Sequence, residues 1–269
     1  MQVVALTIAG SDPAGGAGVQ GDLRAFFARG VHGVSVLTAI IAQATRGVRA
    51  VWPVEPAQVR AQLEVLLEDV TPHAAKTGAL ATGAVAREIA TVLEARATLP
   101  LVVDPVLASS SGARLLDDVG LEVMRERLIP RSTLVTPNAP ELAILLGERE
   151  VARDVDALIR GAERLRGMGA PAVLAKGGHL DGDPVDVLVD ARGVRTFGGA
   201  RIVSTCTRGT GCTLSAAITA DLARGEALEH AVERARALLR RAMELGEAIG
   251  PGESPLNVLA AAGFSRERP

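Results

Sequence analysis

The sequence predicts an α/β fold in three layers, a mostly parallel sheet between two layers of helices with an antiparallel hairpin at the sheet edge. Two observations carry that expectation. Short apolar runs rich in Val, Ile and Leu end in polar or glycine-containing turns and lead into longer stretches with apolar residues at helical spacing, the alternation of β-α-β units. The composition agrees: 48% of residues are hydrophobic but only 2% are aromatic, so the core is built from Ala, Val, Leu and Ile, which suits helices packed on buried parallel strands.

VVALTIAG reads as the first strand. The loop AGSDPAGGAGVQGDL follows, with glycines and a proline that let backbone approach a ligand, and Asp22 lies in the first turns of the next helix. GVSVLTAIIAQ reads as one strand ending in Gln43, and PAQVRAQLEVLLEDV and TGAVAREIATVLEARA as amphipathic helices. LVVDP and STLVTPN are strands that end at Asp104 and Asn138, and the N-x-x-E spacing from Asn138 to Glu141 opens a helix. VDALIRGAERLRGMG is helical, and PAVLAKGGH is a strand that delivers Lys176 and His179. In DPVDVLVDARGVRTFGG two alternating runs bracket Ala191, Arg192 and Gly193, a hairpin late in the sheet. RGTGCTLSAA begins one helix and EALEHAVERARALLRRAMELG forms another; past Pro251 the periodicity is lost, and SRERP is expected to fray. Neither an internal repeat nor a long linker nor a like-charge block interrupts the pattern, so a single domain over residues 1–269 is expected.

The bulk numbers exclude several functions. A net charge of −2 with both signs mixed along the chain, no Tyr and one Trp disfavour a nucleic-acid or acidic-membrane role. Cys206 and Cys212 lack the CxxC pairs or histidine clusters of a structural zinc site, which points to a reduced, cytosolic protein. MQVVALTIAGSD has no basic segment followed by a cleavable apolar stretch, and no later apolar run reaches the ~18 residues of a membrane span.

In open α/β sheets ligands collect beyond the C-terminal strand ends, and the chemistry-bearing residues cluster there. RGTGCTLSAA lacks GxxxxGK[ST], but Gly209, Thr210 and Gly211 at a helix N-terminus offer unpartnered N–H groups to an anion. Cys212, in the first turn, is either packing or chemistry; as chemistry, its thiolate is favoured by the helix dipole, and it would act as proton acceptor or nucleophile. Gly10, Gly15, Gly16 and Gly18 do not fit GxGxxG, so the first loop gives little support to dinucleotide binding. Asp104, Asn138 and Glu141 supply the oxygen ligands that magnesium prefers, although Asn138 also suits a helix cap. Lys176 and His179 fit either an anion site or a solvated turn, and Gln43 either a heterocycle edge or a satisfied strand end.

In this order, TIAGSDPAGGAGVQGDL, TAIIAQATRGV, DPVLASSSGARLL, LVTPNAPELAILLG, VLAKGGHL and RGTGCTLSAA resemble the hydroxymethylpyrimidine/phosphomethylpyrimidine kinases of thiamin biosynthesis, within the ribokinase-like superfamily. The resemblance runs from about Leu6 to Leu239. It implies a ribokinase-like α/β/α sandwich that uses ATP and Mg2+ to phosphorylate 4-amino-5-hydroxymethyl-2-methylpyrimidine to the monophosphate and then the diphosphate. By the same resemblance Gln43, Gly10, Asp12, Ala17 and Asp22 would line the pyrimidine site, with Leu80 and Val106 as apolar walls. Gly209, Thr210 and Gly211 would form the anion hole, and Cys212 falls where the wider superfamily has its catalytic Asp. Asp104, Asn138 and Glu141 would organise magnesium, Lys176 would contact the nucleotide phosphates, and a homodimer is implied.

There are departures from the family pattern. Ser109, Ser110 and Ser111 stand where the branch has a basic or polar residue, so a phosphate contact there would come from hydroxyls or backbone. Arg208 stands where many members carry His, and would add a phosphate contact to the nucleotide side or be a tolerated change; Cys206 has no assigned role. A pyridoxal or pyridoxine kinase of the same fold, or a non-catalytic binding protein descended from a kinase, are the alternatives.

Overall fold

The computed structural model describes residues 2–109 and 112–264. Strand β1 (Val4–Ala9), helix α1 (Gly18–Ala28) and strand β2 (His32–Leu37) form the opening unit, and β3 (Ala39–Ala44) and β4 (Gly47–Pro53) make a separate two-stranded sheet. Helix α2 (Pro56–Asp69), β5 (Ala74–Thr77), α3 (Gly83–Glu94), β6 (Leu101–Val103) and α4 (Asp118–Val123) continue the alternation. After α4 a π-helical turn (Met124–Leu128) leads through α5 (Ile129–Arg131) to β7 (Leu134–Val135), α6 (Ala139–Leu146), α7 (Val155–Gly167) and β8 (Val173–Ala175). A 3-10 turn (Gly177–His179) precedes the hairpin β9 (Asp186–Asp190) and β10 (Gly193–Phe197), and α8 (Thr210–Ala223), α9 (Leu228–Glu244) and α10 (Val258–Ala261) follow.

The main sheet runs in the order β10-β9-β8-β7-β6-β5-β1-β2. Neighbours from β2 to β8 pair in parallel, whereas β9 and β10 are antiparallel, so the hairpin sits at the edge as the alternating runs predict. Period-two alternation sorts the strand side chains into two cores. Leu6, Ile8, Leu101, Val103, Val173 and Ala175 pack against α2, α3, α6 and α7. The intervening Val102, Leu134 and Leu174 pack against α8 and α9, while Ala5 and Ala74 pack against α1 and α8. The result is the three-layer arrangement expected.

Two readings need correction. GVSVLTAIIAQ is not one strand: it breaks at Thr38, whose buried hydroxyl donates to Ala79 O at 2.6 Å, and the chain leaves the main sheet so that Gln43 lies in β3. Strand β5, central in the sheet, has no counterpart among the predicted strands. It is four residues long and carries a lysine, Lys76, so no apolar run marks it. Ser110, Ser111 and the SRERP tail lie outside the described residues. Among the described residues no helix is long and apolar enough to cross a membrane.

Candidate active site

Helix α8 begins where the sequence places three small residues in succession. Gly209 precedes its first turn at φ 79°, and a Cβ there would lie 1.8 Å from the Gly16 carbonyl oxygen, so this bend accepts only glycine. Helices α3, α6 and α7 are closed by side-chain caps from Thr82, Asn138 and Asp154, whereas α8, like α1, α2 and α9, has no side-chain cap; its first N–H, of Thr210, reaches Thr207 O at 3.4 Å, and Thr210, Gly211 and Cys212 line a cavity. Gly211 gives the neighbouring lysine room, because a Cβ there would come within 3.0 Å of Lys176 Nζ.

Lys176, just past β8, donates to Asp104 Oδ1 at 3.0 Å and lies 3.7 Å from Glu141 Oε2. Asp104 is fixed from both sides: Thr136 Oγ1 donates to Oδ1 and Ser215 Oγ to Oδ2, each at 3.1 Å. Burial penalises every charge in the cluster, but the ion pairs outweigh it for two members. The ammonium groups of Lys176 and Lys76 hold Asp104 below the ordinary carboxylate value, and Asp104 and Glu141 hold Lys176 above the ordinary lysine value. Glu141 goes the other way, since burial pushes its carboxyl up to about 7, Asp104 adds to the rise and Lys176 only partly opposes it.

Asn138 does not join the carboxylates as expected. Its Oδ1 accepts the Glu141 N–H at 2.8 Å while Glu141 Oε2 accepts the Asn138 N–H at 2.8 Å, a reciprocal box that closes α6 and spends the asparagine oxygen on the helix. Among the described residues no group of three or more His, Cys, Asp or Glu forms a metal cage. Asp104 and Glu141 nonetheless suit a divalent ion held largely through water: both supply carboxylate oxygens at the cavity wall, and the two carboxylates share one ammonium.

A second cluster lies beneath. Lys76 Nζ donates to both Asp22 oxygens at 2.9 Å, Thr7 Oγ1 donates to Asp22 Oδ2 at 2.5 Å, and all three residues are 0% exposed. Asp22 therefore does not line the site; it neutralises Lys76 under it. Leu80, also 0% exposed, belongs to the core rather than to a substrate wall. Cys212 stands above this pair. Burial pushes its thiol up to about 12, and Lys76 only partly opposes that, so the thiolate expected from the helix dipole alone is not the resting state.

Two cavities meet at the α8 N-terminus. One, of about 480 Å³, is lined by Gly10, Ala17, Gln43, Val106, Asp104 and Glu141, and also by Gly209 and Cys212. The other, of about 520 Å³, has Ile202, Val203, Leu239 and Met243 as apolar walls and Arg236 and Arg240 at its side. Lys176, His179, Asn138, Thr207, Thr210 and Gly211 line both. Arg208 lines only the first, with its guanidinium committed to Asp12 Oδ2 at 3.2 Å and Gln43 Oε1 at 2.5 Å, so the nucleotide contact expected of it is withdrawn. Asp12, 0% exposed, is likewise a loop organiser: its carboxylate accepts the N–H groups of Ala14, Gly16 and Ala17.

Several contributors were not anticipated. Ser215 stands three residues after Cys212 on the same helical face, a spacing that would have revealed it. Lys76, Thr136, the walls of the second cavity and Glu253, which reaches the first cavity from the segment before α10, carry no local signal.

The family model described as phosphomethylpyrimidine kinase matches residues 12–257. The thiamine biosynthesis bifunctional protein ThiED of Geobacter sulfurreducens is 42% identical over 98% of this chain, which spans 54% of that protein's length. The hydroxymethylpyrimidine/phosphomethylpyrimidine kinase of Streptomyces coelicolor is 41% identical over 94% of this chain and 93% of its own. Among solved structures, Bacillus subtilis pyridoxal kinase in an ADP complex superposes with a TM-score of 0.89 at 32% identity, covering 97% of this chain and 98% of its own. Phosphomethylpyrimidine kinase from Clostridium difficile superposes with a TM-score of 0.79 at 39% identity, covering 90% of this chain and 99% of its own. A ribokinase-like sandwich, two cavities joined at an uncapped helix N-terminus and a match over nearly the whole length converge: the chain belongs to the phosphomethylpyrimidine kinase family.

Proposed function

We propose that the chain transfers the γ-phosphoryl group of ATP to the hydroxymethyl of 4-amino-5-hydroxymethyl-2-methylpyrimidine, and then to the resulting monophosphate. The observation that carries this reading is the junction of the two cavities. A donor in the cavity walled by Ile202 and Met243 and an acceptor in the one lined by Gln43 would meet at Lys176, Thr210 and Gly211, with Cys212 lining only the acceptor side. Phosphoryl transfer needs positioning and charge stabilisation more than covalent chemistry, and the uncapped N-terminus of α8 together with Lys176 would supply both. Asp104 and Glu141 would hold magnesium through its waters, and the ion would neutralise charge on the nucleotide phosphates.

From its minor thiolate form, whose proton has gone to solvent, Cys212 would take the hydroxyl proton as the new oxygen–phosphorus bond forms and the bond to the ADP leaving group breaks, and Lys76 is the cation that favours that thiolate. Phosphorus NMR of the purified protein with ATP, magnesium and the pyrimidine tests the reading. Successive appearance of mono- and diphosphate is expected; ATP consumption with neither product would overturn it.

The high TM-score to Bacillus subtilis pyridoxal kinase supports a second reading, in which pyridoxine or pyridoxal is the acceptor. Comparing kcat/KM for the pyrimidine and both vitamers separates the two. We also propose that the chain works as one kinase domain in a cytoplasmic homodimer, supported by Ile40 and Trp52, cross-strand partners on β3 and β4 that are 48% and 57% exposed. Light scattering is expected to give a dimer for the wild type and a monomer for Trp52→Glu.

A further inference from the structure

Arg208 joins three parts of the acceptor cavity. Its backbone N–H donates to Ser254 O at 3.1 Å, in the segment before α10, and the next residue begins the bend into α8. Its Nε donates to Asp12 in the glycine loop at 3.2 Å, and its Nη2 to Gln43 Oε1 on β3 at 2.5 Å. The side chain is almost fully buried, and a Cβ on Gly16 would come within 3.3 Å of its Cδ.

A guanidinium only donates, so the atom of the Gln43 amide that meets it must be the oxygen. The amide nitrogen in turn donates to Ser11 O at 3.0 Å. A flipped amide would set its NH2 against the guanidinium and its carbonyl against a carbonyl, and both contacts forbid that. What Gln43 has left for a ligand is one N–H and the second lone pair of Oε1, in a fixed order along one edge.

We propose that Arg208 is a specificity-determining positioning residue: by fixing the sense of the Gln43 amide, it makes the acceptor cavity select a flat heterocycle whose edge carries a ring-nitrogen acceptor beside an amino donor. Equally flat heterocycles with a different edge are disfavoured. The inference rests on the kinase reading above for the identity of the acceptor, and on hydrogen-bond geometry alone for the role of Arg208.

Arg208→Met should fold, because the Asp12 carboxylate keeps the N–H groups of Ala14, Gly16 and Ala17. In that variant KM for the pyrimidine is expected to rise about 10- to 100-fold, the worth of a charge-assisted hydrogen bond, with a smaller loss in kcat. Discrimination against pyridoxine should fall by a similar factor, Arg208→Lys should restore part of it, and adding Arg208→Met to Gln43→Ala should change KM less than about twofold. The Gln43 side-chain amide, identified by its loss in Gln43→Ala, should exchange with solvent slowly in the wild type and faster in Arg208→Met. Equal losses for both heterocycles that add to those of Gln43→Ala would overturn the assignment, as would an amide signal indifferent to Arg208. A wild type that phosphorylates neither heterocycle would sink the kinase reading instead, and the amide measurement would then decide the role of Arg208 alone.

Discussion

Two cation–carboxylate clusters lie near Cys212 and differ in one respect. Lys76 and Asp22 are 0% exposed and bond to each other and to Thr7, so neither presents any surface to a ligand. Lys176, Asp104 and Glu141 use the same chemistry at the cavity wall, where the Lys176 side chain keeps 13% of its surface and one ammonium serves two carboxylates. The closed pair neutralises itself under the site; the open one leaves a charge available at the cavity wall. Charge type does not separate structure from chemistry here, but stoichiometry and access do.

The largest effect that would sharpen this contrast is expected at the open cluster. Lys176→Met should lower kcat by about 10³- to 10⁵-fold, the range for a cation acting on the transferring phosphoryl group, with a far smaller change in unfolding free energy. Comparable damage to stability and turnover would break the distinction. Cys212→Ala, between the clusters, should bind the pyrimidine yet lose about 10² to 10⁴ in turnover. The resting thiol should also resist iodoacetamide at neutral pH and react faster as the pH climbs towards about 12. Wild-type turnover in Cys212→Ala would remove the cysteine from the chemistry.

At the closed pair, Lys76→Met should cost about 3–5 kcal/mol in urea unfolding because it strands a buried carboxylate, and Lys76→Met with Asp22→Leu should recover most of that loss. A smaller effect concerns Glu141. Its carboxyl, raised by burial to about 7 from 4.5, keeps a proton in the folded chain that the unfolded chain releases. Its contribution is therefore complete below the ordinary carboxyl value and is lost as the pH rises through about 7. The difference in unfolding free energy between wild type and Glu141→Gln should move by at most about 3 kcal/mol across that window. A flat difference would remove Glu141 from the charge-deficient cluster.

The layers were legible because strand and helix periods differ, and the bend into α8 because Gly209, Thr210 and Gly211 are consecutive. That Asp104, Glu141 and Lys176 line a cavity was legible from their positions at or just after strand ends, where open sheets hold ligands. Depth was not legible. Asp22, Asp12 and Leu80 sit in or beside the same motifs as lining residues, and only the packing of β5 and the glycine loop decides that they face inward. Lys76 escaped because a lysine inside a four-residue central strand erases the apolar pattern that would announce the strand. The break at Thr38 escaped because both halves are apolar, and the bend comes from one hydroxyl meeting Ala79 O.

That bend gives the protein a spectroscopic property. The chain has no tyrosine and a single tryptophan, Trp52, which sits on the β3–β4 pair whose other strand places Ile41 and Gln43 on the wall of the first cavity. Tryptophan emission therefore comes from one site on the cavity's outer wall, without background from the sheet or helices. Titration with an acceptor, with nucleotide or with both becomes a label-free record of that wall's surroundings, and stopped-flow traces of the same signal would time its response against product formation.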